Sequence, residues 1–139
     1  MKALVCRTNG RPRIFPGIEE VEKPVPNDDQ VLVQVCASSV TYNNLLQVSP
    51  KLFPIRLLLG RTVGLNEQIP GNDMAGRVEA VGRNVTQLKP GDEVFGDLFR
   101  CGKGAYAEYV CAPEDALALK PTNLSFEEAA AVPEAALVA

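Results

Sequence analysis

Histidine is absent from all 139 residues. That absence removes imidazole as a metal ligand, as a general base and as a member of any His-based triad. A zinc ion would have to be held by thiolates and carboxylates alone. Cysteine is scarce too: Cys6, Cys36, Cys101 and Cys111 lie far apart, with no C-x-x-C pair. Four separated thiols without metal spacing fit a reduced, cytoplasmic protein better than a disulfide scaffold. Long hydrophobic runs are missing. The longest apolar candidate, residues 55–60, is six residues long and contains Arg56, far short of a membrane span. The apolar run in the opening MKALVC is too short for a signal peptide. No block of one charge stands out either, with 14 Lys and Arg against 17 Asp and Glu. Nucleic acid and membrane are therefore not expected as partners.

What is present is a single domain's worth of chain with 46% apolar residues, enough to build a core. The pattern is mainly β. Lys2 to Cys6 reads as a first strand closed by the turn signal Asn9-Gly10, and Ile18 to Val21 as a short second one. Val31 to Ala37 is the strongest strand, with Val31, Val33 and Val35 on one face and Leu32, Gln34 and Cys36 on the other. Both faces are fairly apolar, which predicts a central place in a curved sheet. Asp73 to Val81, Glu93 to Gly96, Ala105 to Cys111 and Ala116 to Leu119 are the remaining expected strands. The stretch from Pro70 to Phe95 holds six Gly or Pro residues. Gly71, Gly76 and Gly82 mark places where a side chain would not fit, and Pro90-Gly91 marks a turn. Thr41 is a possible cap for a short helix carrying Leu45 and Leu46. Residues 50–69 read as a mobile or partly helical insertion beside the cleft.

The grammar changes near the end. Ser125 and Glu128 form the Ser-x-x-Glu pattern of a capping box. The helix it starts is expected to end or kink at Pro133, and a second one to begin at Glu134. An alanine-rich helix with an unfinished successor reads as a boundary, with residues 1–124 as one domain and 125–139 as the start of a link.

Taken in order, the opening MKALV, VLVQVCASSV, PGNDMAGRVEAVG, V-x-x-L-K-P-G-D-E-V-F-G, GAYAEYV and LSFEEAAAVP resemble the medium-chain dehydrogenase/reductase superfamily at its N-terminal GroES-like catalytic domain. The zinc-independent quinone oxidoreductase and enoyl reductase branches are the nearest in appearance. The resemblance implies a GroES-like, partly open β-barrel with a few short helices, truncated before a Rossmann domain. In that family the nucleotide sits in the cleft between the two domains, on a glycine-rich loop at a helix N-terminus. No G-x-G-x-x-G occurs here: Gly102 and Gly104 are followed by Ala107 where a third glycine would stand.

The same resemblance bears on metal. Zinc-dependent relatives have a cysteine and an aspartate at the positions of Thr41 and Asn44, and a Gly-His-Glu where this chain has Gly71-Asn72-Asp73. Neither Thr41 nor Asn72 is a good zinc ligand. The four-cysteine lobe of those relatives is represented only by Cys101, which reads as a loop or packed thiol. No metal is expected. Zinc-free branches often carry asparagine at the Thr41 position and aspartate at the Asn44 position, and this chain departs at both.

The resemblance implies catalytic roles for Thr41, Tyr42 and Asn44, with Asn72, Asp73 and Pro133 bordering the substrate and cofactor cleft. Asp73 reads equally as a carboxylate that merely accepts backbone N–H bonds, and Tyr42 as a hydrogen-bond donor or a packing residue. The expected parent activity is NADPH- or NADH-dependent reduction of a quinone or enone without zinc. The oxyanion would be met by hydroxyl, amide and backbone donors. A histidine proton relay is impossible within the chain, which disfavours ordinary alcohol oxidation. The stretch alone is expected to be inactive without the Rossmann domain, and a homodimer is one open arrangement. The competing reading is a non-catalytic GroES-like binding or structural module.

Overall fold

The structure, a computed structural model, describes residues 1–7, 15–42, 44, 69–102 and 104–138. The Asn9-Gly10 turn, Leu45 and Leu46, and all of the expected insertion before Ile69 lie outside the described residues. Seven strands are described: β1 (Lys2–Arg7), β2 (Phe15–Glu20), β3 (Gln30–Ser38), β4 (Asp73–Val81), β5 (Glu93–Asp97), β6 (Tyr109–Pro113) and β7 (Ala118–Leu119). A 3₁₀ turn spans Glu114–Ala116, and two short helices follow, α1 (Phe126–Ala130) and α2 (Pro133–Val138).

β1 and β2 pair antiparallel, and the other five strands form a second sheet in the order β6-β3-β4-β5-β7. The valine-rich β3 lies between β6 and β4, as its two apolar faces predict; Val31 and Val33 are fully buried and Leu32 nearly so. Two register shifts in the β3–β4 ladder, at Leu32/Val33 and Val35/Ala37, bend the strand and curl the sheet. One face of this sheet carries the main core, built around Val31, Val33, Met74, Val78, Val94 and Leu98. The opposite face carries Ala75, against which Ala129 and Ala130 of α1 pack, with Phe95, Leu124 and Phe126 around them. Small side chains on both partners let the helix approach the sheet closely.

The two sheets meet through the segment before β6. Leu4 N donates to Tyr106 O at 2.8 Å, Glu108 N donates to Lys2 O at 3.1 Å, and Ala3 bridges Ala107. Residues 106–108 therefore bond to β1, while Tyr109–Pro113 form the ladder with β3, which Val35 N extends by donating to Glu108 O at 2.9 Å. This shifts the strand expected at Ala105–Cys111 and gives the partly open barrel.

Local signals hold where neighbours in sequence provide the contact. In the β4–β5 connection, Gly91 has φ +94° and Asp92 N donates to Lys89 O, the geometry of a type II turn with proline first. The Ser125 capping box is complete: Ser125 Oγ accepts from Glu128 N and Glu128 Oε2 accepts from Ser125 N at 2.8 Å. Gly76 lies where a Cβ would stand 2.1 Å from Gln34 O, and at Gly82 one would stand 2.2 Å from Asn27 O.

Two further expectations change. The strand expected over Ala116–Leu119 shortens to Ala118–Leu119, because Glu114–Ala116 turns in a 3₁₀ coil. Its Glu114 carboxylate accepts N–H bonds from Thr86, Gln87 and Leu88. Pro133 neither ends nor kinks the first helix. That helix stops at Ala130, and Pro133 is the first residue of α2, where its fixed φ and missing N–H suit a helix start.

Candidate active site

β3 ends and β4 begins side by side, with Ser38 opposite Met74. That register brings residues 38–44 against residues 70–73. Ser38 Oγ donates to Asp73 O at 2.6 Å and Ser39 Oγ donates to Asp73 Oδ2 at 3.3 Å. The Tyr106 hydroxyl donates to Ser39 O at 3.0 Å. Its ring lies over Gly71, which has φ +100° and where a Cβ would stand 2.7 Å from Tyr106 Cδ1. Gly71 O accepts from Gly104 N and Ala105 N, and Asn72 O from Leu98 N at 2.8 Å. The backbone under Asn72 and Asp73 is thus fixed from three sides.

Thr41 and Asn44 form a closed pair. Asn44 Oδ1 accepts from Thr41 N and from Thr41 Oγ1, each at 2.9 Å. A backbone N–H can only donate, so the atom it meets is the amide oxygen, and the nitrogen must face the other way. That Nδ2 is buried without a partner among the described residues. The capping expected of Thr41 is therefore reversed: Asn44 reaches back to the Thr41 N–H, and the Thr41 hydroxyl is spent on Asn44. Backbone at Tyr42 and Asn44 is helical. Tyr42 is 73% exposed and Val40 beside it 69%.

Asn72 and Asp73 are almost wholly buried, and each carries one oxygen, Oδ1, without a partner among the described residues. The other Asp73 oxygen accepts from Ser39 and from Glu134 N at 3.2 Å. Burial pushes the Asp73 carboxyl up to about 6. The nearby charges of Asp97 and Glu134 add to this, while the Glu134 N–H and the Ser39 hydroxyl oppose it. Burial also raises the Tyr106 phenol, helped by Asp73 and Glu134, so Tyr106 remains a donor. Pro133 is buried, and the residue after it touches both Asn72 and Asp73.

The fold thus brings Asn72, Asp73 and Pro133 together around Glu134, and joins Thr41 to Asn44 on the segment that Ser39 ties to Asp73. Tyr42 stands out at the surface of that segment. Sequence reasoning missed Ser39, Tyr106 and Glu134. Tyr106 lies in the quoted GAYAEYV motif, which was the available signal; Glu134 had none, because its partners lie some sixty residues earlier. Cys101 is partly buried, and burial raises its thiol, with Asp115 and Asp97 adding to the effect; it is no ready thiolate. Among the described residues no three His, Cys, Asp or Glu side chains are grouped to hold a metal ion, and no helix is long and apolar enough to cross a membrane.

The family model of the alcohol dehydrogenase GroES-like domain matches residues 27–122. The chain belongs to this family. The GroES-like domain lies within the medium-chain dehydrogenase/reductase superfamily, as its motifs implied. It is similar to the 2-methylene-furan-3-one reductase of Solanum lycopersicum, 39% identical over 140 residues, covering 96% of this chain and 34% of that protein. It is similar to the quinone oxidoreductase of Sus scrofa, 36% identical over 132 residues, with 95% and 37% covered. Among solved structures it superposes on a quinone oxidoreductase from Pseudomonas syringae with TM-score 0.79 and 28% identity, covering 99% of this chain and 39% of the other. An NAD-dependent alcohol dehydrogenase gives TM-score 0.74 at 33% identity, covering 96% and 43%. The chain spans about a third of the length of the curated relatives it matches.

Proposed function

We propose that residues 1–124 form the substrate-side wall of a hydride-transfer site that reduces quinones or activated alkenes with NAD(P)H, and that residues 125–139 begin the link to a dinucleotide-binding domain in the whole protein. The observation that carries this reading is Asn44. Its amide oxygen is held by two bonds from Thr41, so a buried N–H₂ donor is left without a partner among the described residues, on the segment that the family resemblance sets beside the cleft. The relatives named as a quinone oxidoreductase and a 2-methylene-furan-3-one reductase support the substrate class, and the structure named as an NAD-dependent alcohol dehydrogenase supports a nicotinamide cofactor.

The reduced nicotinamide, when bound, supplies hydride to the conjugated substrate. Negative charge then grows on the substrate's carbonyl oxygen. A preorganised donor aimed at that oxygen stabilises the transition state more than the ground state. Asn44 Nδ2 is such a donor, and the exposed Tyr42 hydroxyl is a second one at the rim. Thr41 acts by fixing the Asn44 amide. Asn72 and Asp73 shape the floor, and Ser39 and Tyr106 hold that floor to the 38–44 segment.

The test is NADPH oxidation in the presence of a quinone, with this domain joined to a dinucleotide-binding domain. Asn44→Ala is expected to lower kcat/KM about a hundredfold, the usual loss for one oxyanion donor. An unchanged rate would remove Asn44 from the mechanism. The 139-residue chain alone is expected to show no turnover, since hydride transfer needs cofactor and acceptor held together; a protein-dependent rate from it would overturn the two-walled reading.

A further inference from the structure

Helix α2 begins without a capping side chain of its own. The residue before it, Val132, is apolar, and Pro133 has no N–H. The first free donor is therefore the N–H of Glu134, and the oxygen that meets it is Asp73 Oδ2 at 3.2 Å, from the start of β4. Glu134 returns the contact with its side chain, where Oε2 accepts from Asn72 Nδ2 at 3.4 Å. One residue of α2 thus grips two consecutive barrel residues, Asp73 through its backbone and Asn72 through its carboxylate.

The second grip has a chemical consequence. A carboxylate can only accept, so it selects the nitrogen of the Asn72 amide and turns the oxygen away from itself. That oxygen is the buried Oδ1 without a partner among the described residues. Among the described residues, the partner of the amide nitrogen is Glu134. A half-turn about the terminal bond would exchange the two atoms and replace an acceptor by a donor.

We infer that Glu134 is a positioning residue that sets the hydrogen-bonding polarity of Asn72, so that Asn72 presents an acceptor to the cleft. This rests on the reading of Asn72 as a cleft residue; the grip itself does not depend on which reaction the cleft performs.

Solution NMR of the 139-residue chain tests the grip without any turnover. In the parent chain, Asn72 Hδ2 protons should show cross-relaxation to the Glu134 side-chain protons; a well-resolved Asn72 amide lacking it would overturn the inference. In Glu134→Ala, exchange of the Asn72 side-chain amide protons is expected to accelerate about tenfold, the loss of one charge-assisted hydrogen bond. The backbone amide at position 134 should stay protected, because Asp73 still caps it. Glu134→Gln, which keeps an acceptor oxygen, should restore slow exchange. Unchanged Asn72 exchange in Glu134→Ala, or equal loss of protection at both places, would overturn the inference, the latter because the helix would simply have been unseated. If Glu134→Ala does not fold, the parent cross-relaxation and the Gln variant decide. Intact NMR results with no quinone reduction in the joined protein would overturn the proposed function and leave the grip standing.

Discussion

Replacing Asp73 by asparagine should stabilise the protein, although Asp73 is hydrogen-bonded. The side chain is 1% exposed, and its carboxyl sits at about 6 where 3.8 is ordinary. The bonds from Glu134 N and Ser39 Oγ are already part of that balance, and burial still prevails. Holding a carboxyl this far up costs the ionised folded chain about 3 kcal/mol, at roughly 1.4 kcal/mol per pKa unit. Between its ordinary value and about 6, the folded chain keeps a proton that the unfolded chain has released. Stability from this group therefore falls as pH rises through that window and is level above it. Asparagine keeps an acceptor oxygen for Glu134 N and Ser39 and removes the ionisation. In urea unfolding followed by circular dichroism, Asp73→Asn should exceed the parent by up to about 3 kcal/mol near neutral pH. The gap should close as pH is lowered towards the ordinary carboxyl value. A variant less stable than the parent at neutral pH, with a gap indifferent to acid, would refute the reasoning.

Other outcomes are equally open to measurement. Gly76→Ala puts a Cβ 2.1 Å from Gln34 O in the middle of the β3–β4 ladder, and since backbone cannot step aside it should cost about 3 kcal/mol or more in the same unfolding assay. Glu114→Ala strands the N–H groups of Thr86, Gln87 and Leu88 and should lower the melting temperature, with Glu114→Gln in between. Burial pushes the Glu114 carboxyl up, but those amides bring it below the ordinary range. Its support should thus be present at neutral pH and fade as pH drops through the acidic carboxyl range, the opposite sense to Asp73. Thr41→Val removes the hydroxyl bond to Asn44 Oδ1 but keeps the one from the backbone N–H, so it should loosen the Asn44 amide and reduce kcat in the joined enzyme with little change in stability; an unchanged kcat would show that the Thr41 hydroxyl does not orient a reacting group.

What could be read from the residues was whatever near neighbours decide. The valine alternation of β3, the Asp73–Val81 strand, the Pro90-Gly91 turn and the Ser125 box each depend on contacts a few residues long, and each is found. The glycines at 71, 76 and 82 were legible as tight places, but not what they touch. Errors arose where a distant partner intervened. Residues 106–108 look like one strand with 109–113, yet β1 claims the first part. Glu114 bends the chain before β7 because three amides of the 86–88 loop await it. The site was legible as the pair of segments 41–44 and 71–73, but the sense of the Thr41–Asn44 bond and the role of Glu134 were not. Both depend on which atom of an amide faces a partner, and that is decided by the packed fold.

The outer neighbour of β3 comes from the far end of the chain. Gln30 pairs with Pro113 and Gln34 with Tyr109, so roughly eighty residues must be threaded before that edge is covered, a closure that slows assembly. During synthesis on the ribosome, the apolar Val31-Leu-Val33 run has an open flank until β6 emerges. An open apolar flank of this kind invites pairing between nascent copies, so recovery of soluble protein should depend on temperature and expression rate more steeply than the stability of the finished barrel would suggest.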